Sequence, residues 1–478
     1  MFRIGFILLV AAAAALGAAC GGGEDEEPTA TRTEEAADEE TPTPGRFKRP
    51  VDDETPSDAE ELSYDDLINL TITDLDEFWT NMVPEIYSID YEPLAAIGPY
   101  FVSTGDVPQC GEAAADPSEL VGNAFYCPLG DFIAWDEETL FPQLFDDYGD
   151  FAVALVLAHE WGHAIQSRGG VSGPTILKEL QADCFAGSWT SYVDGGESNN
   201  LVLSPGDLDE AIAGYLQFRD APGTSVDDPS AHGSGFDRVN AFEEGYNSGA
   251  APCADYVNEP PVVIPLEFSS EAEFESGGDL PYEDIAPLIT TDLETYWSLL
   301  MPELFATDWI PLTAIGPYFV SEPDTLPVCD DREPDPDEYA GNAFYCTTDD
   351  FIAWDEEGLM PELYSNFGDF AVALVIAHEW GHAVQARAGI TGPSTLDLEQ
   401  QADCFAGGWV AYVILENSDN LTLSPGDLDE AIAGFVVFRD APGTPADDPD
   451  AHGSAFQRIG AFQDGVINGA EACLKYAS

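Results

Sequence analysis

His159-Glu160-Trp161-Gly162-His163 recurs as His378-Glu379-Trp380-Gly381-His382, and these pentapeptides hold four of the six histidines in a 478-residue chain. Two histidines four apart on a helix share one face, so both imidazoles can reach one ion. The glutamate after the first histidine lies beside that ion, where it can hold and deprotonate a water on the metal. The spacing therefore predicts a zinc site in each half, with Glu160 and Glu379 as general bases. A single pentapeptide of this kind arises by chance. Two, on equivalent apolar segments, do not fit chance.

A catalytic zinc takes three protein ligands and keeps one position open. The third candidate lies in Glu179-Leu180-Gln181-Ala182-Asp183, matched by Glu399-Gln400-Gln401-Ala402-Asp403. Glu179 and Glu399 are read as the third ligands. Asp183 and Asp403, one turn further on, are read as the carboxylates that fix the tautomer of a ligand histidine. The two remaining histidines, His232 and His452, each precede Gly-Ser and then an arginine, Arg238 or Arg458. Either histidine could stabilise the oxyanion formed when water adds to a carbonyl. Equally, each could be a structural residue at a helix start, with Ser234 and Ser454 as N-caps.

The elements that must position these groups follow from pattern. Residues 151–168 are apolar almost throughout and end at Gly169-Gly170, which predicts a buried helix with a glycine C-cap. After a Gly-Pro turn (Gly173-Pro174, Gly392-Pro393) a second helix carries the carboxylates. It is held against a core by Cys184, Phe185 and Trp189. Upstream, residues 123–127 and 132–135, with partners 342–346 and 351–354, read as short strands. An edge strand beside the metal helix could pair with an extended peptide; an ordinary hairpin is the alternative.

The repetition is general. Residues 97–102 return at 315–320, and 203–213 return unchanged at 423–433. A period of about 220 residues is far too long for a solenoid and is the size of a domain. Two tandem homologous domains are expected, at 61–258 and 279–478, joined by a linker at 259–278. The copies differ by one residue between the second histidine and the ligand glutamate, an insertion expected in the turn or in the first turn of the second helix.

At the N-terminus, Arg3 precedes an apolar run at 4–19 that is short of the ~20 residues needed for a membrane span. Small residues then lead to Cys20. This reads as a lipoprotein-type signal peptide (1–20) with Cys20 as the lipidated residue. An acidic tether at 21–60, poor in large apolar residues, follows. The remaining eight cysteines fall four to a copy: Cys110, Cys127, Cys184 and Cys253, then Cys329, Cys346, Cys404 and Cys473. They read as disulfides of an exported protein; four cysteines allow three connectivities in each copy, of which the expected one is 110–127 with 184–253, repeated as 329–346 with 404–473. The expected location is the bacterial cell envelope, outside the cytoplasm and lipid-anchored to the membrane, or secreted if Cys20 is not lipidated. A formal net charge of −77, with three lysines in the chain, argues against nucleic acid and anionic lipid surfaces as partners. Within the copies Arg168, Arg219 and Arg238 recur as Arg387, Arg439 and Arg458. Arginines retained among so many acids are read as carboxylate organisers, in internal ion pairs before substrate clamps.

AHExGHxxQ, ELQADCFAG, the Leu-Ser-Pro-Gly-Asp-Leu-Asp-Glu-Ala helix, HGSxxxR and the Asn-Ala-Phe-Tyr-Cys strand together resemble the bacterial "putative neutral zinc metallopeptidase" family. The resemblance covers both copies nearly end to end. It implies a zincin-like α+β fold, mostly helical with a small sheet. It also implies one Zn2+ per domain on His159, His163 and Glu179, and on His378, His382 and Glu399. The implied activity is hydrolysis of a peptide or protein substrate. The chain departs from the family pattern in its duplication and in residues flanking the zinc motif, so substrate preference is not carried over. The opposing class is a non-catalytic zinc-containing surface lipoprotein acting as a binding module, or one active and one regulatory domain.

Overall fold

The computed structural model describes residues 62–477 except 106, 112–115, 416, 447, 449 and 450. The expected signal peptide, its Cys20 and the tether at 21–60 lie outside the described residues. The first half runs α1 (Tyr64–Tyr87), β1 (Ala96–Tyr100), β2 (Ala124–Cys127), β3 (Phe132–Asp136), α2 (Leu140–Tyr148) and α3 (Asp150–Gly169). It continues through α4 (Thr175–Asp194), α5 (Asp207–Gln217), α6 (Gly235–Ser248) and α7 (Ala250–Ala254). A short helix, α8 (Glu271–Ser276), lies in the segment expected as linker. The second half repeats the order with α9 (Tyr282–Phe305), β4 (Ala314–Tyr318), α10 (Pro336–Tyr339), β5 (Ala343–Cys346) and β6 (Phe351–Asp355). Then come α11 (Leu359–Phe367), α12 (Asp369–Ala388), α13 (Thr395–Ile414), α14 (Asp427–Phe438) and α15 (Ala455–Asn468). The fold is α+β and mostly helical, as expected.

Each half carries a three-stranded sheet, ordered β1-β3-β2 and β4-β6-β5. The expected pair β2–β3 is antiparallel, and a further strand, β1, joins β3 in parallel. Pro99 lies in β1. A residue without an N–H is tolerated there because β1 is an outer strand. The other outer strand, β2, borders α3, so the sheet presents an edge to the metal helix.

The apolar faces of α3 and α12 pack on every side, as helices without a polar stripe must. The largest hydrophobic core among the described residues runs continuously through both halves and contains Trp79, Trp161 and Trp189 together with Trp297, Trp380 and Trp409. Four disulfides, Cys110–Cys127, Cys184–Cys253, Cys329–Cys346 and Cys404–Cys473, pair as expected. The second and fourth tie α4 to α7 and α13 to the C-terminal turn beyond α15. Among the described residues no helix is long and apolar enough to cross a membrane.

Candidate metal centres

The metal helix begins at a glycine in positive φ, Gly149, whose C-cap turn ends α2. The first turn of the helix is not left to water: the second amide of α3, Phe151 N–H, donates to Glu210 Oε2 at 3.1 Å, and that of α12, Phe370 N–H, donates to Glu430 Oε2 at 2.9 Å. At the other end, Gly170 and Gly389 adopt the left-handed conformation and close α3 and α12. The six-residue gap before α13 against five before α4 places the one-residue insertion in the turn.

Within the pentapeptide the glycine is required by a close approach. A Cβ on Gly162 would lie 2.8 Å from Ala182 Cα, and one on Gly381 would lie 2.7 Å from Ala402 Cα. Only without that methyl can α3 and α4 cross tightly enough to bring the α4 carboxylates to the histidines. His159 Nε2 then stands 3.2 Å from Glu179 Oε2, and His163 Nε2 stands 3.4 Å from the same oxygen. In the second half the corresponding distances to Glu399 are 3.1 and 3.3 Å.

The opposite ring nitrogens are committed elsewhere. His159 Nδ1 lies 2.6 Å from Asp183 Oδ1, and His378 Nδ1 lies 2.6 Å from Asp403 Oδ1. His163 Nδ1 meets Gln166 Oε1 at 3.1 Å, and His382 Nδ1 meets Gln385 Oε1 at 3.0 Å. Each partner is an acceptor, so each histidine in its neutral form carries its proton on Nδ1 and turns an Nε2 lone pair inward. His378 Nε2 and His382 Nε2 then face one another at 3.1 Å with the Glu399 carboxylate beside them. Two lone pairs and an anion converging on one point repel unless a positive charge lies among them, either a proton on one imidazole or a metal ion. Two imidazoles and one carboxylate are the donor set of a catalytic zinc, so the residues fit that ion. Among the described residues each such group has three members, and neither His232 nor His452 belongs to one.

Behind the ligands lies a buried guanidinium. Arg238 Nε and Nη2 donate to Asp183 Oδ2 and Oδ1 at 2.8 and 2.9 Å, and Arg458 grips Asp403 with the same distances. Burial works against the Asp183 charge, but Arg238 and His159 outweigh it and hold the carboxyl below its usual range. Burial would likewise lower His159, yet the Asp183 carboxylate overrides it and raises the imidazole to about 10. Glu160 and Glu379 are shifted upward by burial, opposed by the neighbouring histidines. An amide of the edge strand addresses the expected base: Tyr126 N–H donates to Glu160 Oε2 at 2.8 Å, and the Tyr345 amide is related to Glu379 in the same way.

His232 and His452 are half exposed, each in a loop folded round Asp220 or Asp440. Asp220 Oδ2 accepts the His232 and Gly233 amides at 2.7 and 2.8 Å. Ser234 and Ser454 do cap α6 and α15. In the second half His452 lines a cavity of about 670 Å³ together with His378, His382, Glu399, Glu379 and the β5 edge. The remaining arginines lie away from the metal groups. Arg168 and Arg387 pair with Asp131 and Asp350, and Arg219 and Arg439 reach across to the other half. Sequence reading missed the role of Gln166 and Gln385. Their signal was present as the last letter of AHExGHxxQ, three residues after each second histidine, the distance at which helical side chains meet.

Two crossing helices thus offer His, His and Glu in each half, with a further Glu beside them and, in the second half, a cavity in front. The chain matches the family described as "Putative neutral zinc metallopeptidase" over residues 43–256 and 337–475, and it belongs to that family. An uncharacterized protein of Mycobacterium tuberculosis, Rv2575, is 30% identical over 167 residues, covering 30% of this chain and 57% of the relative. YpfJ of Escherichia coli K12, also uncharacterized, is 31% identical over 150 residues, covering 26% of this chain and 50% of the relative. The chain thus spans about half the length of the curated relatives it matches. No solved structure matches it.

Proposed function

We propose that the protein is an extracytoplasmic zinc metallopeptidase with two working centres, each cutting peptide bonds. The observation that carries this reading is the inward convergence of His159, His163 and Glu179, repeated by His378, His382 and Glu399, beside a glutamate that is not a member of the metal group. Zinc, when bound there, supplies Lewis-acid polarisation of the scissile carbonyl and lowers the pKa of water. Glu160 or Glu379 accepts the proton of the attacking water and returns it to the leaving amine. The upward shift of these carboxyls brings them closer to the working pH, as a proton carrier requires. Asp183 and Arg238, with Asp403 and Arg458, keep a ligand imidazole in one tautomer and orientation. The edge of β2 or β5 holds an extended substrate by backbone hydrogen bonds. His232 and His452 donate to the carbonyl oxygen as it gains charge.

Four disulfides fit an oxidising compartment. Lipidation at Cys20, a tether at 21–60 and domains at 61–258 and 279–478 complete the proposal: two peptidase domains held at the membrane by one lipid anchor, with peptides rather than nucleic acid as partners.

The test compares wild type with Glu160→Gln, Glu379→Gln and the double variant for zinc content and peptidase activity. Zinc retained in all four, with activity abolished only in the double variant, is expected. Stoichiometric zinc without turnover of any peptide in a diverse library by wild type would leave a zinc-containing binding module instead.

A further inference from the structure

The unchanged block 203–213 and 423–433 does two jobs at once. Glu210 and Glu430 cap the metal helix of their own half, as described above. The residue before each, Asp209 or Asp429, points the other way, into the opposite half. Asp429 Oδ1 accepts the Phe236 amide at 2.9 Å, at the start of α6. Its Oδ2 stands 3.2 Å from Arg219 Nε. Reciprocally, Asp209 Oδ1 accepts the Phe456 amide at 2.9 Å, at the start of α15, and its Oδ2 stands 3.3 Å from Arg439 Nε. Both aspartates are buried.

The helices so capped carry Arg238 and Arg458, the residues that hold the metal-site aspartates. The first amides of α6 and α15 have no partner within their own helix, and a carboxylate that accepts them stabilises the helix and fixes where it begins. The fit leaves little slack. A Cβ on Gly235, the first residue of α6, would lie 3.1 Å from Asp429 Oδ1. The order of contacts is therefore Asp429, α6, Arg238, Asp183, His159 in one direction. In the other it is Asp209, α15, Arg458, Asp403, His378.

We propose that Asp209 and Asp429 are positioning residues acting in trans: each aspartate orders the metal site of the half to which it does not belong. The two centres are then obligate partners, and neither half separated from the other would hold zinc as the whole chain does. This inference rests on the zinc reading of the two centres.

The experiment uses the full chain with one metal site disabled, so that the other is read alone. In a His378→Ala/His382→Ala background, site-one zinc affinity is measured by competition with a chromophoric chelator. Asp429→Ala is expected to raise the zinc Kd about 10-fold or more, the usual effect of removing support behind a ligand. Asp209→Ala, which damages the same interface equally, is expected to leave that Kd within about 2-fold. Asp429→Asn, still able to accept the Phe236 amide, should recover most of the affinity; Asp429→Ser, too short to reach, serves if the alanine variant does not fold. In the reciprocal His159→Ala/His163→Ala background the roles exchange. Equal weakening by Asp209→Ala and Asp429→Ala, or none by either, overturns the inference while leaving the zinc centres standing. Absence of zinc binding in both starting backgrounds overturns the zinc reading itself.

Discussion

Gly245→Ala gives the sharpest test of how the second and last helices of each metal site are held together. α4 and α6 touch backbone to backbone. A Cβ on Gly245 would lie 1.8 Å from the Cys184 carbonyl oxygen, and one on Gly187 would lie 1.9 Å from the Phe242 carbonyl oxygen. Those atoms belong to main chain and cannot swing aside, so the methyl forces the helices apart by roughly 1 Å. The Cys184–Cys253 disulfide resists part of that movement. Arg238 on α6 and Asp183 on α4 lie on the separating faces, and their 2.8 and 2.9 Å contacts lengthen accordingly. On an open helix the same change stabilises by up to ~1 kcal/mol. Here overpacking of about 1–3 kcal/mol opposes that gain, with the weakened buried ion pair added to it, so a net loss of about 2 kcal/mol is expected. For domains of this size that is a fall in Tm of roughly 4–8 °C. Gly214, inside α5, is the control: its nearest neighbours would be at 3.5 and 3.9 Å, an ordinary contact, so Gly214→Ala holds or raises Tm. Thermal scans of both variants with disulfides intact decide the matter. A Tm for Gly245→Ala equal to or above wild type would refute the close-crossing account, as would equal effects of the two substitutions.

Three other outcomes follow from charge and connectivity. Burial raises Glu430 to about 8, Asp207 to about 7 and Asp369 to about 6. The folded chain therefore binds more protons than the unfolded chain between about pH 4 and 8, and stability falls as pH rises through that window. Denaturation midpoints taken from pH 5 to 8.5 should decline, and Glu430→Gln, which still accepts the Phe370 amide, should flatten the curve. Where Gln463 donates to Phe236 O at 3.0 Å across the halves, its counterpart Glu243 is buried with an unpartnered oxygen and is shifted far upward by burial. Glu243→Gln should stabilise the protein at pH 8 by about 1–3 kcal/mol, with less gain at pH 5; a loss at pH 8 would count against it. Replacing Cys184 and Cys253 by serine opens a loop of 69 residues and should cost about 4 kcal/mol, measured by urea unfolding against the intact protein.

What was legible in the sequence was local. HEWGH, the glycine stop and ELQAD each state a spacing on one helix, and a helix converts spacing into shared faces without reference to the rest of the chain. The disulfides were legible because each copy repeats the same four positions. The sheet was half legible: β2 and β3 are neighbours in sequence with a turn between them, whereas β1 pairs in parallel from more than thirty residues upstream. Its Gly98-Pro99 argues against a strand unless the strand is known to be an outer one. Arg238 was singled out as an organiser of carboxylates, but its partner Asp183 lies on another helix, and no periodicity connects them. The contacts between halves were the least legible of all. Asp209 and Asp429 are surface-pattern acids at the start of amphipathic helices, where an acid is already accounted for by the helix dipole. A local reason sufficient to explain a residue hides any distant one. The clue available was negative: residues 203–213 return without a single change, while the ELQAD helix itself tolerates Leu180 in one copy and Gln400 in the other. A segment held more strictly than the metal-binding helix has more than one neighbour to satisfy. Here those neighbours are the N-terminus of its own metal helix and the N-terminus of the arginine helix opposite.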